Sequence, residues 1–493
     1  MNSLLLRVLL ALGIGVNVAF LIINLRPERP HIGRRHKMKI LLRADPQRAE
    51  WVKQHELDEF GAANDVDFEV TNAPDFDAVL ARLTAERDHP TGLDLAAIDD
   101  EIADDLQLGG LVRPIQELLP PDELAGVLEE DLPEAITRSR RPDGKLWYLP
   151  RRAEIDIAAY VRPAVEDAYL HWEQDRPAIQ AALAAANGVG LPKGYALERS
   201  PDAWDSYDLF VAAWYWAHHP APWAAPGSTS PAPRVAFRTG PNSDAMSDLL
   251  SLFYRHGFSD ADVGKADVPP VVDALQWLAL FQRHHLLIPQ CESTQGIDED
   301  TVNEVFRKRA LAWAPLDQED SLWLHGGARR GAPSGMPGPA DLGWAVLPAG
   351  ASLELRSGVP ARMGRTFSFQ EMQLWAIPVH APTPSRAVEL ARFLGQRSIQ
   401  RRETEAQGLL PIRADLRRDY PILFRLDWMQ RILDASYRQV ELGSGDIPDE
   451  IMTKHLDDFY TRLRSQVVRE RPSGAPLTFE AVRAAVQEAS HGR

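Results

Sequence analysis

The sequence predicts an α/β protein with a parallel sheet in its amino-terminal part, and two observations support this. Between residues 38 and 112, short apolar strands alternate with amphipathic helices in the order strand, helix, strand, helix, strand. Strands joined through helices in this way form parallel sheets that are covered on both faces. The chain of 493 residues is also too long for one ordinary core, so two lobes of roughly 150 to 250 residues each are expected.

The predicted elements follow one another at short intervals. MKILLRA at 38–44 is the first strand, and apolar residues partly at helical spacing predict a helix at 46–60. VDFEVTNA at 66–73 alternates as a second strand, and DFDAVLARLTAE at 75–86 opens a second helix on an acidic cap. The segment 92–112 then contains a third strand, an Asp-rich turn and a short helix closed by two glycines.

Acidic residues directly follow two of these strands. Asp45 comes after the first strand, and Asp99 and Asp100 come at the end of the third. Ligands of open α/β sheets bind beyond the carboxyl ends of the strands, which makes these three residues candidate ligand contacts. Helix capping and solvated turns are the alternative interpretation of each residue taken singly.

The segment DGKLWYLPRRAEIDIAAYVRPAVEDA at 143–168 has an unusual charge pattern. It places Arg151, Arg152 and Glu154 in a row between two apolar runs. A strand that served only the core would not contain three charged side chains. These residues are therefore further candidates for a functional site.

The amino terminus contains a candidate membrane span. Residues 8–25 are 18 uncharged, mostly apolar residues preceded by Arg7, long enough to cross a bilayer and rather long for a signal-peptide core. No small-x-small cleavage site follows directly, and the single cysteine of the chain, Cys291, is far away. We expect an uncleaved anchor at 4–25 and a basic linker at 26–37, with a removed signal peptide as the alternative.

Charge gives conflicting indications about membrane orientation and excludes some partners. Six Lys and Arg lie within residues 1–37, five of them after the span, and by the positive-inside rule this would leave the body in the cytoplasm. The rest of the chain has 48 Lys and Arg against 69 Asp and Glu, a formal net charge of −21. Nucleic acid and anionic membrane surfaces are therefore not expected partners. The lone cysteine excludes an intrachain disulfide and a cysteine zinc site.

Several segments occur in an order that is typical of one protein family. These are GLDLAAID, GGLVRPIQELLP, the segment 143–168, PDAWDSYDLFVAAWYWA, VNEVFRKRALAWAPLD, DLGWAVLPAG, LWAIPVHAPTPSRAVELARFLGQ, EAQGLLPIRADL and LTFEAVRAAVQEA. Together they resemble the extracellular solute-binding proteins of ABC importers, in particular the maltose-binding-protein-like group that takes up sugars and oligosaccharides. The resemblance covers about residues 38–490. One departure is FSFQEMQ at 367–373, where members commonly have a Gly-Gly pair.

The resemblance implies a two-lobed periplasmic-binding-protein fold of type II, in which each lobe is a doubly wound sheet. Lobe 1 would comprise 38–150 plus 349–411, and lobe 2 would comprise 151–343 plus 412–493. The chain would cross between the lobes near 148–152, 344–348 and 410–413. A solute would bind between the lobes, and a hinge motion would close them over it.

The same resemblance suggests which residues contact the solute. A sugar needs polar side chains around its hydroxyls and aromatic platforms for its ring faces. The family's motifs match the polar candidates Asp45, Asp99, Asp100 and Glu154, while Arg151 and Arg152 are less usual and would suit a carboxylate or phosphate. Further candidates are Trp313, Asp317, Trp323 and Trp375, although a core position is the alternative for each tryptophan.

We therefore predict a carbohydrate receptor that is anchored to the cell membrane, with its body on the periplasmic or extracellular side and an ABC permease as its partner. No catalytic residue, metal or cofactor is expected. Two alternatives stay open: a membrane-tethered sensor or scaffold that no longer serves transport, and a carbohydrate-acting hydrolase built on carboxylate pairs. Sequences typical of serine hydrolases, zinc proteases and P-loop enzymes are absent from the chain.

Overall fold

The computed structural model describes residues 36–44, 46–224, 231–239, 243–292, 296–325, 341–445, 454–472 and 474–491. The predicted anchor at 4–25 and almost all of the basic linker lie outside these ranges. Within them, none of the helices combines the length and the apolar character needed to cross a membrane.

The predicted parallel sheet is present at the start of the described chain. Strands β1 (His36–Arg43), β2 (Val66–Ala73) and β3 (Leu93–Asp99) lie in the order β2-β1-β3, all parallel. The predicted helix at 46–60 consists of α1 (Pro46–Val52) and α2 (Asp58–Asn64) with a π-helical turn between them. These strand and helix predictions are confirmed, with boundaries that differ by a few residues.

The remaining elements complete one mixed sheet and its helical layers. The further strands are β4 (Val112–Arg113), β5 (Leu149–Val161), β6 (Trp313–Asp317), β7 (Leu342–Ala345), β8 (Leu355–Arg356), β9 (Val359–Pro360), β10 (Ser368–Pro378) and β11 (Ser444–Gly445). The further helices are α3 (Phe76–Asp88), α4 (Ala103–Leu108), α5 (Pro121–Glu130), α6 (Pro133–Ser139), α7 (Arg162–His171), α8 (Arg176–Asn187), α9 (Ser206–His218), α10 (Ser243–Arg255), α11 (Pro269–Arg283), α12 (Pro289–Glu292), α13 (Glu299–Arg307), α14 (Asp320–Leu324), α15 (Pro384–Leu394), α16 (Arg397–Gln407), α17 (Ala414–Leu423), α18 (Asp427–Leu442), α19 (Lys454–Arg464) and α20 (Phe479–His491).

Strand β5 is common to two parts of the sheet. Residues 149–155 of β5 pair antiparallel with β10, which pairs on its other side with β3. Residues 156–161 of β5 pair antiparallel with β6 and β7. One continuous strand of 13 residues therefore joins the β1–β3 part to the β6–β7 part, at a place that the sequence predicts as a crossing.

Both faces of the amino-terminal sheet are buried at β1 and β3, whereas most residues of β2 are exposed or half-buried. Met38, Ile40 and Leu42 of β1 belong to one apolar cluster, whereas Leu41 between them belongs to the other. Because successive side chains of a strand point to opposite faces, this division means that β1 is covered on both sides. The larger cluster continues into the helices that follow β5.

The structure also describes the neighbourhood of the other two predicted crossings. Ala153 of β5 and Leu410 exchange backbone hydrogen bonds of 3.0 and 3.2 Å. The Ala349 amide, just after the crossing predicted at 344–348, donates to the Trp204 carbonyl over 2.9 Å. The assignment of individual segments to lobe 1 or lobe 2 stays a prediction.

Candidate functional site

A cavity of about 170 Å³ lies at the middle of β5, where the two parts of the sheet meet. Side chains from four strands or their ends and from two helices line it. The lining residues are Arg43, Glu154, Ile155, Asp156, Arg238, Ser247, Glu299, Asp317, Glu319, Phe369 and Glu371. We call this space the cleft cavity.

Strand register explains why so many carboxylates meet there. Glu154 of β5 lies directly opposite Glu371 of β10, and Asp156 of β5 lies directly opposite Asp317 of β6. Directly opposite residues of antiparallel strands share a face, and so do residues two apart on one strand. The four carboxylates therefore form a staggered array on one face of three adjacent strands, with Glu371 and Asp317 at its opposite ends.

Both arginines of the lining form ion pairs with carboxylates of the protein. Arg43 Nε lies 2.6 Å from Asp99 Oδ2. Arg238 Nη2 lies 2.5 Å from Asp156 Oδ2 and 2.7 Å from Asp248 Oδ1. Their positive charge is therefore largely compensated within the protein.

The remaining carboxylates of the cavity differ in whether an arginine lies next to them. Glu319 forms an ion pair with Arg48 behind the cavity wall, and Glu154 Oε1 lies 3.5 Å from Arg152 Nη2 without accepting a hydrogen bond. No ion pair joins Asp317 or Glu371 to a Lys or Arg within the described ranges. The part of the array contributed by β6 and β10 is thus short of positive charge.

Burial and mutual repulsion raise the pKa of several of these groups. Burial, together with Glu101 and Glu154, raises the pKa of Glu371 well above its usual range, although Arg43 opposes the shift. Burial, together with Glu154 and Glu319, raises the pKa of Asp317 in the same way. For Asp99, burial outweighs the attraction of Arg43 and raises the pKa to about 6. These carboxyls therefore become ionised at a higher pH than isolated carboxyls do.

The acidic candidates at the strand ends have different environments. Asp45 lies outside the described residues. Asp99 is buried and supports Arg43 from behind the lining. Asp100 accepts a hydrogen bond of 3.0 Å from the Met372 amide and lies 2.9 Å from Arg138 Nη1. Neither Asp99 nor Asp100 lines the cleft cavity. Both instead stabilise the carboxyl end of strand β3 next to it.

Arg151 and Arg152 of the segment 143–168 do not line the cleft cavity. Arg151 Nη2 and Arg152 Nη1 lie 3.1 and 3.2 Å from Glu403 Oε1. Burial, with Arg48 and Arg151 nearby, lowers the pKa of Arg152 to about 10. Both guanidinium groups therefore serve a buried ion-pair network, and this arrangement does not favour the anionic solute that they suggested in the sequence.

The tryptophan candidates also lie away from the lining. Trp313 is fully buried, with its ring 5.5 Å from that of Phe237. Trp375 is fully buried with the Arg151 guanidinium 4.7 Å above its ring. Trp323 belongs to α14, but its side chain lies outside the described part of the structure. Of the described residues, Phe369 alone brings an aromatic ring to the cleft cavity.

Two predicted residues, Glu154 and Asp317, line the cavity, together with several that the sequence analysis did not select. Glu371 lies in FSFQEMQ, the segment that departs from the family pattern, and alternation along that strand was the available signal. Glu319 lies two residues after Asp317, and the same alternation indicates that their side chains point to the same side. Arg43, Arg238 and Glu299 come from distant segments, and no local pattern marks them.

A sequence profile of the family described as "Bacterial extracellular solute-binding protein" matches residues 57–422 of this chain. The chain belongs to this family. The resemblance noted in the sequence is therefore confirmed, and the body of this solute-binding protein belongs on the extracytoplasmic side of the membrane. Among curated proteins, none matches the sequence.

Solved structures of similar fold extend over nearly the whole solute-binding protein. Maltose-bound MalE3 of T. maritima is 15% identical with a TM-score of 0.63, covering 92% of this chain and 98% of its own. The GacH receptor of Streptomyces glaucescens, solved unliganded and with acarbose, is 14% identical with a TM-score of 0.60 and coverages of 93% and 99%. The maltotriose-binding protein of Thermus thermophilus is 15% identical with a TM-score of 0.59 and coverages of 92% and 99%. These similarities establish the α/β fold of two-lobed periplasmic binding proteins.

Proposed function

We propose that this solute-binding protein is the receptor of an ABC importer and that it holds a carbohydrate-like solute in the cleft cavity. The observation that carries the proposal is that one cavity is lined from both sides of the shared strand β5. A solute that contacts Glu154 and Glu371 on one side and Asp156 and Asp317 on the other favours the arrangement that brings them together. Hinge closure about β5 then follows from binding, without covalent chemistry.

The chemistry of the lining indicates a hydrophilic solute. Ligand sites are commonly apolar with a few polar groups, whereas eight of the 11 lining residues here are charged. Carboxylates are strong hydrogen-bond acceptors for hydroxyl and amino groups. A polyhydroxylated molecule satisfies such a surface, while an apolar one would leave buried charges without partners.

The proposal includes a permease and a membrane anchor. A receptor of this class delivers its solute to the transmembrane subunits of the importer. The apolar segment at 4–25 would keep the body next to the permease, and its 18 uncharged residues support that role.

Blocking the cleft cavity tests the location of the site. Ser247 lines the cavity from helix α10, and a Ser247→Arg substitution inserts a long cation into it. We expect full-length protein in detergent, screened by thermal shift against glucose, maltose, N-acetylglucosamine, glucosamine and spermidine, to bind at least one compound. Ser247→Arg should weaken that binding about tenfold or more.

The control is Ser200→Arg, because Ser200 is exposed and lies away from the lining. It should bind like the wild type. Unchanged affinity in Ser247→Arg, with a normal melting temperature, would place the solute elsewhere. The absence of binding to any of the five compounds would count against the receptor function itself.

A further inference from the structure

We propose, on the basis of the receptor function above, that the solute carries a protonated primary amine, which binds within the array of carboxylates that runs from Glu371 to Asp317 in the cleft cavity. The shared chemistry is an alkylammonium group. It occurs both in amino sugars and in polyamines, and the experiments below distinguish these two sources.

The charge balance of the cavity is the first argument. Its lining contains six carboxylates, Glu154, Asp156, Glu299, Asp317, Glu319 and Glu371, against the two guanidinium groups of Arg43 and Arg238. The lining itself therefore has four more carboxyls than guanidinium groups. The ion-pair partners of the lining residues, Arg48, Arg152, Asp99 and Asp248, add two charges of each sign and leave this difference unchanged.

The register of the strands is the second argument. Like charges that lie directly opposite one another on neighbouring strands are destabilising. This chain contains two such pairs side by side, Glu154 with Glu371 and Asp156 with Asp317. A cation that binds within the array removes the repulsion of both pairs together.

The weak pairing of Glu154 is the third argument. Glu154 is only 8% exposed and lines the cavity, and the guanidinium groups of Arg152 and Arg48 lie 3.5 and 3.9 Å from its Oε1 atom, which accepts no hydrogen bond. These two cations are on the protein side of the lining and are shared with Glu403 and Glu319. An ammonium group brings three N–H donors, which suits the carboxylates that line the cavity.

The dimensions of the cavity favour an organic cation over a metal ion. A cavity of about 170 Å³ is far larger than a metal ion needs. In the described part of the chain, moreover, no group of three or more His, Cys, Asp or Glu residues is arranged to hold a metal. An organic amine fills the space with its own carbon skeleton and hydroxyl groups.

The raised pKa values of two carboxyls support the same conclusion. Glu371 faces Glu101, Glu154, Asp99 and Arg43, while Asp317 faces Glu154, Glu319, Asp156 and Asp320. Burial and these mainly acidic neighbours raise the pKa of both carboxyls, so each keeps its proton to a higher pH than an isolated carboxyl does. A bound ammonium group favours their ionised forms. Binding therefore releases protons to the solvent, and affinity increases with pH.

The test is isothermal titration calorimetry on the full-length protein in detergent. Glucosamine and N-acetylglucosamine form a matched pair, because acetylation removes the positive charge and keeps the ring. Spermidine represents polyamines, and glucose and maltose represent neutral sugars. We expect glucosamine or spermidine to bind at least tenfold more tightly than every neutral compound. The better of the two identifies the source of the amine.

Two nearly isosteric variants test the assignment to residues. Glu371→Gln and Asp317→Asn keep the size of the side chain and remove its charge, and each should weaken amine binding tenfold or more. Because each variant also removes a like-charge pair, neither should melt below the wild type at pH 8. The exposed Glu166→Gln variant, which alters only the surface ion pair with Arg199, should bind the amine like the wild type.

Proton release gives an independent measurement. Titrations in two buffers of different ionisation enthalpy should show net proton release on amine binding, and affinity should be lower at pH 5.5 than at pH 8. The inference is overturned if N-acetylglucosamine, glucose or maltose binds as tightly as the amines, or if both variants keep wild-type affinity. The receptor function survives either result, whereas the absence of binding by any compound rejects both proposals.

Discussion

At the scale of single residues, the centre of this protein is unusual for the number of charges that it buries. Arg48, Arg151, Arg152, Glu154 and Arg238 are each at most 8% exposed. Buried charges are tolerated when they are paired and hydrogen-bonded, and removing one partner leaves the other without compensation. Much of the polar chemistry near the cleft cavity therefore supports structure, and only a subset of the side chains faces the cavity.

Substitution of Arg238 tests whether the buried charges stabilise the fold. Arg238→Ala removes the cation beside the buried Asp248 and the half-buried Asp156, and we expect the free energy of unfolding to fall by about 3–5 kcal/mol. The matched control is Arg199→Ala, which breaks an ion pair with Glu166 whose side chains are 67% and 44% exposed. That change should cost at most about 1 kcal/mol.

The measurement is unfolding in urea followed by circular dichroism. If Arg238→Ala costs no more than Arg199→Ala, the network around Arg238 is not important for stability. The buried charges would then have to be explained by ligand binding alone.

At the scale of secondary-structure elements, the cavity depends on how helices and strands end. Helix α16 ends at Gly408, which adopts a left-handed conformation with φ of 76°. A Cβ atom at this position would lie 2.9 Å from the carbonyl oxygen of Glu319, a residue of the cavity lining. The end of this helix therefore fixes how closely the chain after β6 can approach.

A matched pair of glycines separates backbone conformation from close packing. Gly188, at the end of α8, has the same φ of 76°, and nothing lies within 4 Å of a Cβ atom built on it. Gly188→Ala should therefore cost about 1–2 kcal/mol of unfolding free energy, through the left-handed backbone alone. Gly408→Ala should cost about 1–3 kcal/mol more, because the Glu319 backbone must move.

Gly408→Ala should also weaken binding of whichever compound the wild-type protein binds, since Glu319 shifts, whereas Gly188→Ala should leave affinity unchanged. Urea unfolding and calorimetric titration measure the two effects. Equal losses of stability in both variants, with unchanged affinity, would show that this helix end does not position the cavity.

At the scale of the whole molecule, the chain is acidic, with a formal net charge of −16. Several carboxyls with raised pKa values lie around β5, where the two parts of the sheet meet. For Glu101, burial and the neighbours Asp99 and Asp100 outweigh Arg43 and Arg138 and raise the pKa from 4.5 to about 7. Stability and solute binding should therefore both respond to pH near neutrality.

The Glu101 carboxyl predicts the sign of one pH effect. Because its pKa is higher in the folded state, the folded protein binds the proton more tightly than the unfolded chain does. This contribution to stability is complete below about pH 4.5 and is lost as the pH rises through about 7. Glu101→Gln removes the ionisable group and with it this loss.

The stability of Glu101→Gln relative to wild type should therefore increase by about 2 kcal/mol between pH 5 and pH 8. Urea titrations of both proteins at pH 5, 6.5 and 8 measure this difference. Glu166→Gln on the exposed surface is the control and should show no such trend. A difference between Glu101→Gln and wild type that stays constant with pH would contradict the raised pKa.

Local sequence patterns were sufficient for the parallel sheet and marked the segment that forms β5. Alternation at 66–73 and the apolar run that ends in Asp99 depend on side-chain spacing within single strands, which the chain order contains directly. The charges at 151–154 likewise marked β5 as more than a core strand. Segments typical of the family, in the order in which its members have them, indicated a solute-binding protein. The family match confirms this.

The sequence by itself thus determined the fold class, the family and the strand on which the candidate site is built. Only the tertiary structure decided which charges face the cavity. Arg151 and Arg152 turn toward Glu403, which is about 250 residues away in the chain, while Glu371 and Asp317 come to lie opposite Glu154 and Asp156. The physical reason is that an element's periodicity is a local property, whereas the partner of a buried charge is set by long-range strand pairing and packing, which no short segment of the sequence encodes.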